Sequence, residues 1–216
     1  MNFLNFRNRL ITGLALLFLL FIMFTSDFFF LYILIVFSVF SIIEFFNINK
    51  KITKNNAIQL SFNILFIIFV SIISALFFLF SSTIQLKIIL FILLLGCIAS
   101  DIGGYIIGKI FKGPKLTSIS PNKTFSGSLG SLIFSMIIIN TLIYYYVEII
   151  NIKIFLLAAL TSLGCQLGDL FFSFLKRKAN LKDTGNLLPG HGGVLDRLDG
   201  ILFGLPVGFI SFILIY

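Results

Sequence analysis

The residues best suited to chemistry lie in one polar segment near the C-terminus, which reads SFLKRKANLKDTGNLLPGHGGVLDRLDG from Ser173 to Gly200. Asp196 and Asp199 are three residues apart at the predicted start of a helix, so both carboxylates project from one face, about 5–6 Å apart at Cβ. Such a pair suits Mg²⁺, which binds few protein oxygens while it holds substrate phosphates. The alternative is a helix cap with an acid that favours the helix dipole, and the pair alone does not decide between them.

A glycine turn precedes this acid pair, from Pro189 to Gly193. Its backbone can approach a ligand closely and offer N–H groups to phosphate oxygens. The turn contains His191, the only histidine of the chain. A lone loop histidine is more often a hydrogen-bonding residue than a general base, so we expect His191, Gly192 and Gly193 to contact phosphate or to order the loop.

The apolar run before this segment carries a polar stripe. Its members fall on one side of a helix at 100° per residue; they are Gln166, Asp169, Ser173, Lys176 and Arg177. Asp169 lies roughly 10 Å inside Lys176 along the helix axis, and an acid near the bilayer centre costs about 2.5–3.5 kcal/mol. A direct ion pair between Asp169 and Lys176 is disfavoured by that distance. Asp169 is therefore a candidate functional residue.

A second polar region begins at Asp101 and continues through SPNKTFSGSLG, from Ser120 to Gly130. Lys123 and Thr124 stand just before a predicted helix, and the N-terminus of a helix attracts anions. The alternative is a serine-rich cap on a membrane helix. The accompanying Lys109, Lys112 and Lys115 favour a site for phosphate.

The elements that position these residues are membrane helices. Of the 216 residues, 59% are hydrophobic and 11% are charged, whereas about a quarter of a soluble domain is charged. Apolar runs near the ~20 residues needed to cross a bilayer recur along the chain. The predicted spans are 10–24, 28–46, 57–80, 84–100, 127–150, 154–175 and 198–216. The first is short, and a re-entrant hairpin with the second span is the alternative.

The basic residues predict how these spans are oriented, because short cytoplasmic loops are enriched in Lys and Arg. With the N-terminus in the cytoplasm, seven spans place fourteen of the sixteen basic residues on the cytoplasmic side, and only Lys87 and Lys153 fall outside. We therefore predict an all-α, polytopic transmembrane bundle with about seven spans. Nothing in the sequence suggests nucleic-acid binding.

The polar segment resembles the signature of the CDP-diacylglycerol synthases, also called phosphatidate cytidylyltransferases. The residues that match this signature are Ser173, Lys176, Arg177, Lys182, Asp183, Gly185, Pro189, His191, Gly192, Gly193, Asp196, Arg197 and Asp199. Three other parts of the chain resemble further motifs of this family: Asp101 to Tyr105, Ser120 to Thr124 and Gln166 to Asp169. One departure is Ser126, where members of the family often have an acid, and this chain is shorter than typical members.

The resemblance implies that the phosphate of phosphatidic acid attacks the α-phosphorus of CTP, giving CDP-diacylglycerol and pyrophosphate. It also implies a site for one or two cations, Mg²⁺ among them, formed by Asp169, Asp196 and Asp199. Lys176 would act in catalysis together with these three residues. The residues expected to contact substrate are Asp101, Ser120, Lys123, Thr124, Ser173, Arg177, Lys182, Asp183, His191, Gly192, Gly193 and Arg197.

The expected setting is one transmembrane domain over residues 1–216, in which 1–100 forms N-terminal spans and 101–216 forms the catalytic core. Its loops 101–126 and 176–200 would face the cytoplasm of a bacterial inner membrane. CTP, phosphatidic acid and the bilayer are the expected partners, and the resemblance also implies a homodimer. The alternatives are a CTP-dependent lipid kinase acting on a polyprenol or phytol, and an inactive relative that serves as a membrane scaffold.

Overall fold

The computed structural model describes residues 3–117, 120, 123–148, 151–185, 187–189 and 192–215, with only the backbone described for 3–6 and 8–10. Every regular element within these ranges is a helix. In chain order the helices are α1 Phe3–Thr25, α2 Asp27–Ile52, α3 Asn56–Phe80, α4 Ile84–Phe111, α5 Phe125–Val147, α6 Ile152–Lys178, α7 Leu195–Leu198 and α8 Ile201–Ile215.

Six helical stretches within the described residues are long and apolar enough to cross a bilayer: α2 to α6, and Leu195–Ile215, which contains α7 and α8. The apolar part of α1, Ile11–Thr25, is shorter. Each predicted span coincides with one of these helices, so the all-helical membrane architecture is confirmed. The exact number of crossings and the side on which the N-terminus lies remain predictions.

The contacts divide the chain into two compact units. The first unit contains Met1–Ser82 and Leu175–Leu198, and the second contains Thr83–Phe174 and Asp199–Tyr216. Both units combine residues far apart in the sequence. These units do not coincide with the predicted division at residue 100. They do not test where catalysis occurs, so the catalytic core at 101–216 stays a prediction.

In the first unit, α2 and α3 form an antiparallel pair joined by a short turn. Asn55 caps α3 by accepting the Ala57 N–H. Further along the pair, the Asn49 side-chain amide donates to the Gln59 carbonyl and to the Asn63 side chain, at 2.9 and 2.7 Å. Such interhelical hydrogen bonds satisfy polar groups that the bilayer cannot. They keep the end of α2 in register with the start of α3.

In the second unit, small residues bring α4 and α5 close together. A Cβ added at Gly103 would lie 2.6 Å from the Gly130 carbonyl oxygen, and one added at Gly127 would lie 2.9 Å from the Gly104 carbonyl oxygen. Transmembrane helices associate through such small residues because apolar lipid provides no hydrophobic drive between them. This packing fixes the ends of α4 and α5, which are joined by residues 112–124, hereafter the Lys123 loop.

Candidate active site

The segment Leu175–Leu198, hereafter the signature segment, leaves α6 through a defined helix end. Asn180 adopts a left-handed conformation with φ 55°. Its N–H donates to the Arg177 carbonyl at 3.0 Å, and the Leu181 N–H donates to the Lys176 carbonyl at 2.8 Å. These two bonds are the Schellman pattern, which satisfies the last carbonyls of a helix and reverses the chain. The end of α6 is thereby fixed at its basic residues.

Asp196 is the centre of the signature segment. Its Oδ1 lies 2.7 Å from the Lys176 Nζ, while its Oδ2 accepts the N–H groups of Thr184 and Gly193 at 2.7 and 3.0 Å. The Asp196 side chain is only 5% exposed. A buried carboxylate is stable when it is paired and hydrogen-bonded in this way. Asp196 therefore fixes Lys176 and both ends of the turn from Thr184 to Gly193.

Glu44 of α2 is a buried, hydrogen-bonded acid that the sequence analysis did not select. Its carboxylate accepts the Thr184 hydroxyl and the Leu195 N–H on Oε2, at 2.7 and 2.8 Å, and the Val194 N–H on Oε1 at 2.9 Å. Glu44 is 5% exposed. The available signal was an acid inside the apolar run of a membrane helix, which is by default a functional candidate.

Two glycines make room for the Glu44 carboxylate. A Cβ added at Gly185 would lie 2.8 Å from its Oε1, and one added at Gly193 would overlap both Glu44 and the Thr184 hydroxyl. Gly192 has φ +83°, a conformation that side chains rarely adopt. Gly185, Gly192 and Gly193 thus allow close packing around Glu44 and Asp196.

The remaining charged residues of the signature segment lie on its surface. Arg177, Lys182, Asp183 and Arg197 are exposed. The Arg177 guanidinium donates to the Leu181 carbonyl at 3.3 Å. His191 lies outside the described residues, so its predicted role stays a prediction. The exposed cations are placed where a phosphate in solution can reach them.

In the second unit, Lys123 pairs with Asp169. The Lys123 Nζ lies 3.2 Å from the Asp169 Oδ2, and the two side chains are 29% and 24% exposed. The Lys123 loop is closed on itself, because the Leu116 N–H donates to the Lys123 carbonyl at 2.7 Å and the Phe125 N–H donates to Pro114 at 3.0 Å. The predicted loop cation and the predicted membrane acid are thus brought into contact.

Thr124 and Ser126 order the start of α5. The Thr124 hydroxyl oxygen accepts the Gly127 N–H at 3.1 Å, as an N-cap does. The Ser126 hydroxyl bonds that of Thr124 at 3.0 Å and accepts the Gly113 N–H at 3.2 Å. Ser126, which departs from the family pattern, therefore helps to close the loop through its hydroxyl oxygen.

The backbone around Asp199 packs closely against the part of α6 that carries Asp169. A Cβ added at Gly168 would overlap the Asp199 carbonyl oxygen, and one added at Gly200 would lie 3.2 Å from the Asp169 Oδ1. The Asp199 Oδ1 accepts the Gly200 N–H at 3.0 Å. Close backbone packing at Gly168 and Gly200 therefore brings the residues that carry these two carboxylates together in the second unit.

The other predicted contacts of the second unit lie on or near its helices. Ser120 accepts the Lys123 N–H on its carbonyl at 3.0 Å. Asp101 is exposed on α4, and Ser173 is half-buried on α6. Gln166 links α5 to α6 through hydrogen bonds with both the hydroxyl and the carbonyl of Ser128. Gln166 therefore holds the helix that carries Asp169.

Magnesium places limited demands on the side chains that bind it. The described part of the chain contains no group of three or more His, Cys, Asp or Glu side chains placed to hold a metal ion. Mg²⁺ requires less, since one or two carboxylates suffice when substrate phosphates complete its shell. Asp169 and Asp199 offer that donor chemistry. The metal role predicted for Asp196 stays a prediction, and the observed bonds give its carboxylate a structural task.

Comparison with known proteins decides the family. The model of the cytidylyltransferase family matches residues 4–215, nearly the whole chain. The chain belongs to the cytidylyltransferase family. The match includes α2 with Glu44 as well as both polar regions, so it extends over the N-terminal half, whereas the motifs found in the sequence begin at Asp101.

Curated relatives that are similar in sequence to this cytidylyltransferase chain carry the name phosphatidate cytidylyltransferase. The protein of Rickettsia typhi is 42% identical over 130 residues, which are 56% of this chain and 57% of the relative. That of Staphylococcus haemolyticus is 44% identical over 110 residues, 50% of this chain and 42% of the relative. That of Synechocystis is 43% identical over 129 residues, 57% and 43% of the two chains. The chain thus spans about half the length of the curated relatives it matches.

Proposed function

We propose that this protein transfers the cytidylyl group of CTP to phosphatidic acid. An oxygen of the lipid phosphate forms a bond to the α-phosphorus of CTP, the bond between the α-phosphorus and the bridging oxygen breaks, and pyrophosphate leaves. The products are CDP-diacylglycerol and pyrophosphate. Membership of the cytidylyltransferase family and the names of the relatives support this assignment.

The observation that carries the proposal is the partly exposed Lys123–Asp169 pair at a membrane helix. It offers one cation for a phosphate and one carboxylate for a metal ion. The chain has the composition of a membrane protein, which suits a lipid as the other substrate. Phosphoryl transfer depends mainly on positioning the two reactants and on neutralising the charge of their phosphates. The nucleophile is already an anion, so the reaction needs no general base.

The residues of the chain divide these tasks by chemical type. Asp169 and Asp199 would hold Mg²⁺, which when bound neutralises charge on the transferring phosphate and its leaving group. Lys123 binds phosphate, and Lys176, Arg177, Lys182 and Arg197 supply further cations. Arginine suits two-point contacts with phosphate, whereas lysine acts as a point charge. Asp196 keeps Lys176 in place.

The proposed location follows from substrate logistics. CTP dissolves in the cytoplasm, and phosphatidic acid diffuses laterally in the membrane. In the first unit, the Thr12 hydroxyl donates to the Pro189 carbonyl at 2.9 Å, while Glu44 binds Thr184. These contacts support the proposal that the N-terminal part of α1, the C-terminal part of α2 and the signature segment lie on one side of the membrane, and we assign that side to the cytoplasm.

The test is product identification with the purified full-length chain. Incubation with Mg²⁺, phosphatidic acid and CTP labelled at the α-phosphorus should place the label in a CDP-lipid and release one pyrophosphate per CDP-lipid. A lipid kinase would instead leave the label in CDP and form a lipid phosphate from a polyprenol or phytol. Absence of both products with every lipid tried would contradict an enzymatic role.

A further inference from the structure

Glu44 lies 140 residues before its first partner in the signature segment, and the reaction proposed above gives it no task. It is the only glutamate in the apolar part of the chain, since the other, Glu148, is exposed just after α5. All of its observed partners belong to the signature segment of the first unit. Its contacts therefore link α2 to the residues around Asp196.

The hydrogen-bond pattern requires an acceptor-only side chain. Three donors, the Thr184 hydroxyl and the N–H groups of Val194 and Leu195, point at the two carboxylate oxygens. A carboxylate has acceptors only, whereas a glutamine of the same shape presents an NH₂ group in place of one oxygen. Replacement by glutamine therefore sets a donor against at least one of these donors.

Thr184 couples Glu44 to Asp196. Its hydroxyl donates to Glu44 at 2.7 Å, and its N–H donates to Asp196 at 2.7 Å. At the other end of the turn, the Gly193 N–H binds Asp196, while the next two N–H groups bind Glu44. The two carboxylates thus bind residues at both ends of the stretch from Thr184 to Leu195. Asp196 also binds Lys176.

We propose that Glu44 is a positioning residue, which keeps the signature segment in the conformation that presents its cations to the CTP phosphates. This inference rests on the proposed function for the identity of the ligand. Glu44 itself touches no substrate. It sets the fraction of molecules in which the segment is ready to bind, and the apparent affinity for a ligand falls in proportion to that fraction.

The first test measures the segment itself. Hydrogen exchange followed by mass spectrometry compares the wild-type chain, Glu44→Gln and the matched control Glu148→Gln in the same detergent. We expect amides between Thr184 and Leu195 to exchange at least about tenfold faster in Glu44→Gln, with α4 and α5 unchanged, and no effect in Glu148→Gln. Wild-type exchange in the segment, or equal acceleration in α4 and α5, would overturn the proposal.

The second test separates positioning from loss of folded protein. In Glu44→Gln the KM for CTP should rise about 10-fold or more while kcat at saturating CTP is largely kept. A lower kcat at an unchanged KM would indicate only fewer folded molecules, and would refute a positioning role. The exchange measurement needs no activity, so an inactive wild-type chain would refute the proposed function and still decide the role of Glu44.

A second pair of variants covers the case in which Glu44→Gln does not fold. Thr184→Val removes the hydroxyl donor to Glu44, and Thr184→Ser keeps it. Faster exchange of the Val194 and Leu195 amides and a raised KM for CTP are expected in the valine variant and should be absent in the serine variant. Identical behaviour of the two variants would contradict the proposal.

Discussion

Two lysine–aspartate pairs, one in each unit of the chain, have the same chemistry and different surroundings. Lys176 and Asp196 in the first unit are 2.7 Å apart, with side chains 12% and 5% exposed. Lys123 and Asp169 in the second unit are 3.2 Å apart, and their side chains are 29% and 24% exposed. Asp196 also binds two backbone N–H groups.

Under the proposed function, the difference distinguishes a pair that maintains the structure of its unit from a pair that a substrate can reach. Separating a desolvated pair leaves an uncompensated buried charge, so Lys176 and Asp196 remain together and maintain the shape of the signature segment. A partly exposed pair contributes little to stability. Lys123 can therefore exchange Asp169 for a phosphate, and Asp169 can exchange Lys123 for a cation, at small cost to the fold.

The largest effect on activity is expected from Asp169→Asn. Loss of a metal-binding carboxylate removes several kcal/mol of transition-state stabilisation, so kcat/KM should fall by about 10²- to 10⁴-fold. The thermal unfolding midpoint should stay within error of the wild type. The control is Asp27→Asn, an exposed acid at the start of α2. Near-normal activity in Asp169→Asn would show that Asp169 is not a metal-binding residue.

The largest effect on stability is expected from Asp196→Asn. The change removes the buried carboxylate that faces the Lys176 ammonium, and breaking a buried pair costs about 3–5 kcal/mol. Thermal unfolding in detergent should show a clearly lower midpoint. The double variant Lys176→Met with Asp196→Asn, which removes both charges, should recover part of that stability and none of the activity. A double variant less stable than the single one would argue against the buried pair.

At Lys123, as at Asp169, only a small effect on stability is expected. Lys123→Gln should change the unfolding free energy by less than about 1 kcal/mol, because its pair is partly exposed. Its KM for CTP should nevertheless rise, since a phosphate-binding cation is lost, whereas Lys123→Arg keeps the charge and should stay close to the wild type. Equal KM values for Lys123→Gln and the wild type would exclude phosphate binding by Lys123.

The sequence was sufficient for the helices because each apolar run has the length and composition that lipid demands. It also identified Asp169 and Lys123 as functional candidates, although nothing in the sequence indicated that they form a pair. Sequence spacing predicted that Asp196 and Asp199 act together, which stays a prediction, and it did not indicate that Asp196 binds Lys176, twenty residues earlier. Pairing of charges depends on how the chain turns between them, and helical spacing describes only neighbours on one helix.

Glu44 shows why the N-terminal half could not be interpreted from motifs. Its partners are 140 to 151 residues away, and no local pattern encodes contacts of that kind. Even so, the sequence contained one usable signal, because an acid within the membrane run of α2 requires partners. That signal could identify Glu44 as important, and only the fold could identify Thr184, Val194 and Leu195 as its partners.

One measurement tests the division between the two pairs most directly: the thermal midpoints of the wild type, Asp169→Asn and Asp196→Asn, each with and without CTP and Mg²⁺. Ligand at about 100 times its Kd adds about 2.7 kcal/mol of stability to a protein that binds it. We expect Asp169→Asn to keep the wild-type midpoint and lose the CTP-dependent rise, and Asp196→Asn to start from a lower midpoint. A wild-type midpoint in Asp196→Asn, together with a lower one in Asp169→Asn, would contradict this account.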